Sequence, residues 1–446
     1  MAMDDVPSED TIYGWIEAVF ERGIRRPGYP ADEWAEQFCA ERFGEIGLER
    51  VRLEPLTVSG WEPHEWSLEV TAGGTTTRLD CFPLPHAAPA ENLELELVAW
   101  DPADPSAVAG KASLYPVTLS RVPADFALGA GRAVDPDDTL GAEHVLPFGR
   151  ELQQVMEPSL AAGAGAFVGV LAGYPGDSHD YYVPYDGEAR GIPGVWLSGG
   201  DGARLAEAVA AGPVRMRLTV RSERRPVQTH NVVGELPGAD DEVVMVGSHH
   251  DGPWSSAVED GSGIALVLAQ ASYWAALAPE RRPHRLLFVL QGGHMVGGAG
   301  LHHYIETHRA ELERVVLEVH LEHAALEVDE RGRPTGRPVP RWWFTSRIPA
   351  LEEAVVRALT AEGLDRSLVL APDALGPQPP TDGGFYHQAG VPIVNFLTAP
   401  SYLFDAMDTL DKIDRAALVP LTRAAARIIG ATRGVSAAAM RAAVRS

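Results

Sequence analysis

The sequence predicts an α/β protein with a mostly parallel sheet flanked by helices and interrupted by a mainly β insertion. From about residue 223, apolar strand patterns alternate with amphipathic helical patterns, which is typical of a sheet with helices on both faces. Before that point the chain shows short buried strands separated by glycine and proline turns. The predicted division is residues 1–95 and 223–446 for the α/β domain and residues 96–222 for the insertion.

The individual elements follow from periodicity. Apolar residues at helical spacing predict one helix near the N-terminus and four more in the second half of the chain. Short β-branched and aromatic runs predict the strands between them. The predicted helices cover 31–47, 261–278, 298–312, 349–363 and 415–432, and the predicted strands are VVMVG, LLFVL, VVLEVHL, WWFT and PIVNFL.

The overall charge argues against several classes of partner. The net charge of −25 repels phosphate backbones and anionic membranes, so neither nucleic acid nor membrane is an expected partner. No apolar run reaches the roughly 18 residues of a membrane span, and the acidic N-terminus lacks the apolar stretch of a signal peptide. Two cysteines make no disulfide framework. We expect a cytoplasmic protein that acts on a small molecule or short peptide; a homo-oligomer remains open.

Polar side chains follow three of the predicted strands. His249 and Asp251 come after VVMVG, His294 after LLFVL, and Glu322 and His323 after VVLEVHL. Ligands of open α/β sheets bind beyond the carboxyl ends of the strands, so these side chains are predicted to meet at one edge. Any one of them would most often be an ordinary hydrogen-bonded residue. Their combination indicates a site.

Four ordered segments carry a family resemblance, namely NVVGELPGADDEVVMVGSHHDG, AVEDGSGIALVLAQA, TDGGFYHQAGVPIVNF and DTLDKID. Through them the sequence resembles the co-catalytic zinc aminopeptidases, which share a fold with glutamate carboxypeptidase and the transferrin receptor and, more distantly, with glutaminyl cyclase. The inserted segment resembles the protease-associated domain of such enzymes, most clearly in IPGVWLSGGDGARL.

The resemblance implies a metal centre with altered ligands. His249 and Asp260 match two ligand positions of the family, and Glu322 stands where the family has aspartate. The family's Glu-Glu pair falls on Gly293 and His294, so the general base is missing and its neighbour has become an imidazole. We expect His249, Asp260, His294 and Glu322 to bind one or two zinc ions. Two imidazoles with carboxylates also suit Fe(II).

Other candidate residues surround this set. The family's late histidine falls on Phe404, which makes Asp405 a possible ligand, and His323 is a second possible ligand or supporting residue. Asp251 is the candidate that replaces the catalytic base. Trp254 and Tyr386 are candidates for the wall of the substrate pocket, although core packing explains both equally well.

The implied function is metal-dependent hydrolysis of an amide or peptide bond in a small substrate, with poor activity on conventional aminopeptidase substrates. Two alternatives stay open. One is a repurposed single-metal enzyme, with zinc or iron, that performs other chemistry such as cyclisation. The other is a non-catalytic binding protein, because fold alone does not decide function.

Overall fold

One long sheet runs through the molecule. The computed structural model describes residues 3, 5–141, 143–147, 154–377 and 379–444. The strands are β1 (Glu49–Ala72), β2 (Thr75–Leu79), β3 (Phe82–Pro83), β4 (Ala90–Ala99), β5 (Ala112–Thr118), β6 (Ser120–Pro123), β7 (Gly131–Val134), β8 (Glu143–Leu146), β9 (Ala166–Ala172), β10 (Gly194–Ser198), β11 (Val214–Leu236), β12 (Val243–His249), β13 (Arg285–Gln291), β14 (Val315–Leu321), β15 (Leu326–Val328), β16 (Pro334–Pro338), β17 (Arg341–Thr345), β18 (Ser367–Leu370) and β19 (Ile393–Leu397).

Helices cover the sheet. Each predicted helix is found with ends shifted by a few residues, and the stretch predicted as 298–312 is divided into two. The helices are α1 (Glu9–Phe20), α2 (Pro30–Ile46), α3 (Ala124–Gly129), α4 (Glu157–Ala161), α5 (Gly199–Ala211), α6 (Gly263–Ala275), α7 (Ala299–Thr307), α8 (Arg309–Leu312), α9 (Pro349–Ala361), α10 (Gly384–Gln388), α11 (Arg415–Gly430) and α12 (Ala437–Val444). Among the described residues, no helix is both long enough and apolar enough to cross a bilayer.

The strand order places four parallel strands in the middle of the second half of the sheet. The order there is β11-β13-β12-β14-β19-β17-β18, and β13, β12, β14 and β19 run parallel. β12 and β14 are buried at every position because helices cover both faces. The predicted fold class is thus confirmed, and the carboxyl ends of these strands share one edge.

The most buried helix lies beside this edge. α6 has the sequence GIALVLAQASYWA, and its apolar residues contact the core from all sides. It packs against α1, α2, α11 and β12. A helix that is apolar all round needs such a complete cover. This packing also fixes the N-terminal end of α6, where the chain that follows β12 returns to the edge of the sheet.

A single long strand joins the insertion to this sheet. β11 pairs with β1 over nearly its whole length, with β4 in its first half and with β13 in its second half. Strands β4, β5, β9 and β10 continue the sheet beyond it, over a separate apolar cluster that extends from Leu68 to Val220. The predicted boundaries after residues 95 and 222 fall inside β4 and β11. The division into domains stays a prediction.

Candidate metal centre

Three neighbouring strands each have a histidine at or just after their carboxyl end, and the three imidazoles lie at one point of the sheet edge. His249 is the last residue of β12, His294 follows β13 after two glycines, and His323 follows β14 after one residue. Because β13, β12 and β14 are parallel neighbours, their carboxyl ends lie side by side. The rings of His249 and His294 stack with centroids 4.0 Å apart.

All three imidazoles face the carboxylate of Glu259. The Nε2 atoms of His249 and His294 lie 3.5 and 3.4 Å from Glu259 Oε1. His323 Nε2 lies 2.5 Å from Glu259 Oε2. Ligand atoms about 2.1 Å from a tetrahedral ion are separated by about 3.4 Å. Two of the three separations therefore match those around a transition-metal ion, and the third is a closer ion pair.

The opposite nitrogen of each imidazole is held by an oxygen acceptor. His249 Nδ1 lies 2.9 Å from the carbonyl oxygen of Asp251, and His323 Nδ1 lies 2.8 Å from that of Thr398. His294 Nδ1 lies 2.6 Å from Asp382 Oδ1. A carbonyl oxygen only accepts, so Nδ1 of His249 and of His323 carries a proton, and Nε2 of each ring faces Glu259. This is how proteins orient metal-binding histidines.

The inward-facing atoms have few protein partners. Nε2 of His249 and Oε1 of Glu259 are buried without a hydrogen-bond partner among the described residues, and His323 Nε2 is paired only with Glu259 Oε2. Buried polar atoms are nearly always satisfied, so a cluster of unsatisfied ones requires a reason. Imidazole nitrogens and a carboxylate are a donor set that zinc and iron both accept. The residues present therefore fit a metal ion.

The imidazoles around Glu259 keep its carboxylate in the ionised form. Burial raises the pKa of Glu259, but His323, His294 and His249 together outweigh it and hold that pKa well below its ordinary value. Burial, with the neighbouring His294, lowers the pKa of His249. The carboxylate of Glu259 is therefore ionised, and His249 is neutral and free to donate a lone pair.

The family comparison covers the strands that carry these residues. Residues 231–429 match the model of Peptidase family M28. This stretch is an M28 peptidase segment. The match confirms the family predicted from the motifs, and the chain is a metallopeptidase-like hydrolase. No protein of curated function matches the chain.

Solved structures show the same fold over nearly the whole chain. An aminopeptidase from Aneurinibacillus sp. strain AM-1 is 18% identical with a TM-score of 0.66, covering 98% of this chain and 96% of that one. A peptidase M28 precursor from Shewanella amazonensis SB2B is 22% identical with a TM-score of 0.71, covering 94% and 92%. A zinc aminopeptidase from Bacillus subtilis is 16% identical with a TM-score of 0.66, covering 97% and 96%. At these identities the likeness establishes the fold.

Within the M28 segment, Glu259 occupies the place that the motif alignment gave to Asp260. Asp260 accepts hydrogen bonds from the Ser248 hydroxyl and, at 2.8 Å, from the Gly263 N–H, and its nearest approach to His249 Nε2 is 4.0 Å. Burial raises its pKa to about 7. The two acids are adjacent in the EDGSG motif, and the peptide bond between them is cis. Glu259, and not the predicted Asp260, therefore faces the three imidazoles.

Glu322 lies beside the cluster of His249, Glu259, His294 and His323 but is not part of it. Its Oε1 lies 3.0 Å from His320 Nε2 and 3.3 Å from the Asp382 N–H, which donates to it. Its Oε2 lies 4.0 Å from His323 Nε2. His320 in turn contacts Glu318, 3.0 Å away. Glu322 therefore supports the Asp382 segment and borders the centre without facing Glu259.

Asp251 also has a supporting place. Its two oxygens accept the main-chain N–H groups of His294, at 3.0 Å, and Met295, at 2.8 Å, and the side chain is fully buried. Gly293, where the family has its base, has a φ of +76°. Asp251 therefore fixes the turn that presents His294, and both oxygens are already engaged, which argues against a role as base.

The remaining predicted residues are more distant. Asp405 accepts from the Met407 N–H at 2.9 Å and belongs to none of the metal-capable groups in the described part of the chain. Tyr386 is fully buried in an apolar cluster and receives a hydrogen bond from Gln291, 3.1 Å away, so it packs in the core instead of lining a pocket. Trp254 donates to the Phe404 carbonyl at 3.1 Å.

Two residues near the centre were missed. Asp382 holds His294, and Tyr185 from the insertion stacks on His294 at 5.4 Å and on Phe404 at 4.8 Å. Asp382 lies in TDGGFY, a segment that the motif comparison quoted without assigning the aspartate a role. Nothing in the sequence around Tyr185 indicates its contact with His294, because the two residues come together only when the sheet folds.

Proposed function

We propose that this chain hydrolyses an amide or peptide bond in a small substrate, with one metal ion held by His249, Glu259, His294 and His323. One observation carries the proposal. The Nε2 atoms of three imidazoles converge on one carboxylate, and each opposite Nδ1 is held by an oxygen. Such an arrangement leaves buried polar atoms without partners unless a cation binds between them.

A bound ion would supply a Lewis acid for the substrate carbonyl and a water of lowered pKa. The chain's own residues supply the rest. Glu322 Oε2, which borders the ligand set 4.0 Å from His323 Nε2, is the carboxylate that we assign as the proton acceptor. Asp382 keeps His294 oriented. Tyr185 and Phe404 form an aromatic wall beside His294, which narrows the space for a substrate and favours a small one.

The same donor set supports a second candidate. Three imidazoles and one carboxylate suit Fe(II) as well as zinc, and the family's base position is a glycine. A single-metal enzyme of non-hydrolytic chemistry, such as cyclisation, is the alternative that these two observations favour. In either case we propose a cytoplasmic protein whose net charge of −25 keeps it from nucleic acid and anionic membranes.

The test is metal analysis followed by assay. Purified protein is stripped with a chelator, reloaded separately with Zn²⁺ and Fe²⁺ under anaerobic conditions, and its bound metal is measured by mass spectrometry. We expect one ion per chain and hydrolysis of small amides by the zinc form. Activity only in the iron form would favour the second candidate. A purified protein that retains no ion in either case would overturn the metal centre.

A further inference from the structure

We infer that Arg25 is a positioning residue that holds the loop carrying Glu259, an inference that rests on the proposed metal centre. Arg25 is fully buried and far from this loop in sequence. Its guanidinium donates to the main-chain carbonyls of His250 at 3.1 Å, Ser256 at 3.0 Å and Glu259 at 3.3 Å, and also to that of Ser255. All four acceptors belong to the loop that begins after His249 and ends at Glu259.

The main-chain groups of Arg25 also form hydrogen bonds with this loop. The Arg25 N–H donates to the Trp254 carbonyl at 3.2 Å, and the Arg25 carbonyl accepts from the Gly252 N–H at 3.0 Å. The neighbouring Arg26 donates from Nε to the Pro253 carbonyl at 2.8 Å. The loop between the two ligands is thus bound along its length by one short N-terminal segment.

A second side chain fixes the other polar group of Glu259. Asp408 accepts the Val258 N–H at 2.8 Å through Oδ1 and the Glu259 N–H at 2.9 Å through Oδ2. The N–H and the carbonyl of Glu259 are therefore each held by a residue from a distant part of the chain. With both main-chain groups fixed, the carboxylate has little freedom except about its own side-chain torsions.

The chemistry of Arg25 suits orientation better than packing. A buried guanidinium costs free energy unless its donors are satisfied. An apolar residue would be sufficient if this position only had to pack against the loop. In the described part of the chain, no carboxylate lies within ion-pair distance of Arg25. Its donors are satisfied by carbonyls of one loop, whose two ends are the proposed ligands His249 and Glu259.

Arg282 offers a matched control. It is also buried, and it also donates to main-chain carbonyls, namely those of Trp274 at 2.8 Å, Pro237 at 2.6 Å and Leu277 at 2.8 Å. None of these acceptors belongs to the metal-binding loop. Loss of either guanidinium should destabilise the fold, but only loss of Arg25 should alter the geometry of the centre.

The experiment uses Co²⁺ as the probe, because its absorption spectrum reports ligand geometry. Co²⁺ affinity, visible spectrum and melting temperature are compared for the wild type, Arg25→Met, Arg25→Lys, Asp408→Asn and Arg282→Met. We expect Arg25→Met and Asp408→Asn to weaken Co²⁺ binding by about 10–100-fold and to shift the spectrum. Arg25→Lys should recover only part of the affinity. Arg282→Met should lower the melting temperature and leave the affinity and spectrum unchanged.

The outcomes separate this inference from the proposed function. If the wild type binds Co²⁺ and the Arg25 and Asp408 variants bind it with the same affinity and spectrum, the positioning role is refuted while the metal centre stands. If the wild type takes up no Co²⁺, the centre itself is refuted and the role of Arg25 falls with it. Should Arg25→Met fail to fold, Arg25→Lys and Asp408→Asn decide the question.

Discussion

Two buried clusters of histidine and carboxylate lie close together after β12, and only one of them is built like a metal site. One is the Glu259 centre. The other is formed by Asp32, Glu36 and His250, which also offer ligand atoms within 4.8 Å of one another. Both clusters are almost wholly buried. Both offer imidazole and carboxylate atoms at a spacing that a metal ion could bridge.

The hydrogen-bond partners of the second cluster tell them apart. Glu36 Oε1 accepts from the Thr229 hydroxyl and the His230 N–H, both at 2.8 Å, and Glu36 Oε2 contacts His230 Nδ1 at 2.7 Å. Asp32 accepts from the Gly28 N–H at 3.0 Å and lies 3.1 Å from His250 Nδ1. His250 Nε2 donates to the His230 carbonyl at 2.8 Å. In this cluster Asp32 Oδ1 and His250 Nδ1 lack a further hydrogen-bond partner in the part of the chain that the structure describes, and these two atoms face each other.

The number of buried atoms without partners, more than the kind of residue, distinguishes the proposed metal centre from the Asp32 cluster. In the Asp32 cluster the protein supplies the partners, so removing one residue should damage the fold. In the Glu259 centre the partners are missing, so removing the carboxylate should damage ion binding. Matched substitutions at the two clusters therefore test the distinction directly.

The largest expected effect comes from Glu259→Gln compared with Glu36→Gln. Glutamine keeps the shape of the side chain but removes the negative charge that faces three imidazoles. We expect Glu259→Gln to weaken zinc binding by at least about 100-fold and to abolish amide hydrolysis, whereas Glu36→Gln keeps one zinc ion per chain. Metal content and zinc competition titrations measure both. Equal zinc affinity in the two variants would contradict the distinction.

The next effect concerns the kind of substrate. General acid–base help is worth about 10²–10⁴-fold in rate, and Gly293 has no side chain to provide it. We expect turnover of aminoacyl anilides by the zinc-loaded protein well below about 1 s⁻¹. Gly293→Glu should not restore it, because φ is +76° at this position and strongly disfavours a side chain. Turnover in the ordinary enzyme range would show that Glu322 or a neighbour fully replaces the family base.

Much of this arrangement was predictable from the sequence because it depends on strand ends. His249, His294 and His323 each follow an apolar strand pattern, and parallel strands bring such residues together. The sheet class and most helices follow from the same periodicity. The fold of the M28 segment and the sheet edge at which these histidines meet therefore follow from the sequence.

Other features depend on the folded chain. Glu259 and Asp260 are adjacent acids, and only the backbone path through this turn decides which one faces the histidines. Asp382 and Tyr185 reach His294 from segments separated from it by many residues, and no local pattern records those contacts. Tyr386 has the composition of a pocket residue, but the packing beneath the sheet buries it.

A smaller effect, on stability only, is expected at the second cluster. Asp32→Ala removes the carboxylate beside His250 and the acceptor for the Gly28 N–H. Breaking a buried pair by removing one partner costs about 3–5 kcal/mol in the free energy of unfolding. We expect a loss of that size in urea unfolding of the metal-free protein, with zinc stoichiometry unchanged. A variant of wild-type stability that no longer bound zinc would reverse the roles that we give to the two clusters.

The smallest effect concerns Asp405, a buried acid outside both clusters. Burial raises its pKa from 3.8 to about 7, so the folded protein holds a proton that the unfolded chain releases above its own lower pKa. That contribution to stability is complete below about pH 3.8 and is lost as the pH rises through 7. Asp405→Asn keeps an acceptor for the Met407 N–H and cannot ionise. It should match the wild type near pH 4 and exceed it above pH 8 by at most about 4 kcal/mol in the free energy of unfolding. A difference between the two proteins that did not change with pH would mean that burial does not raise the pKa of Asp405.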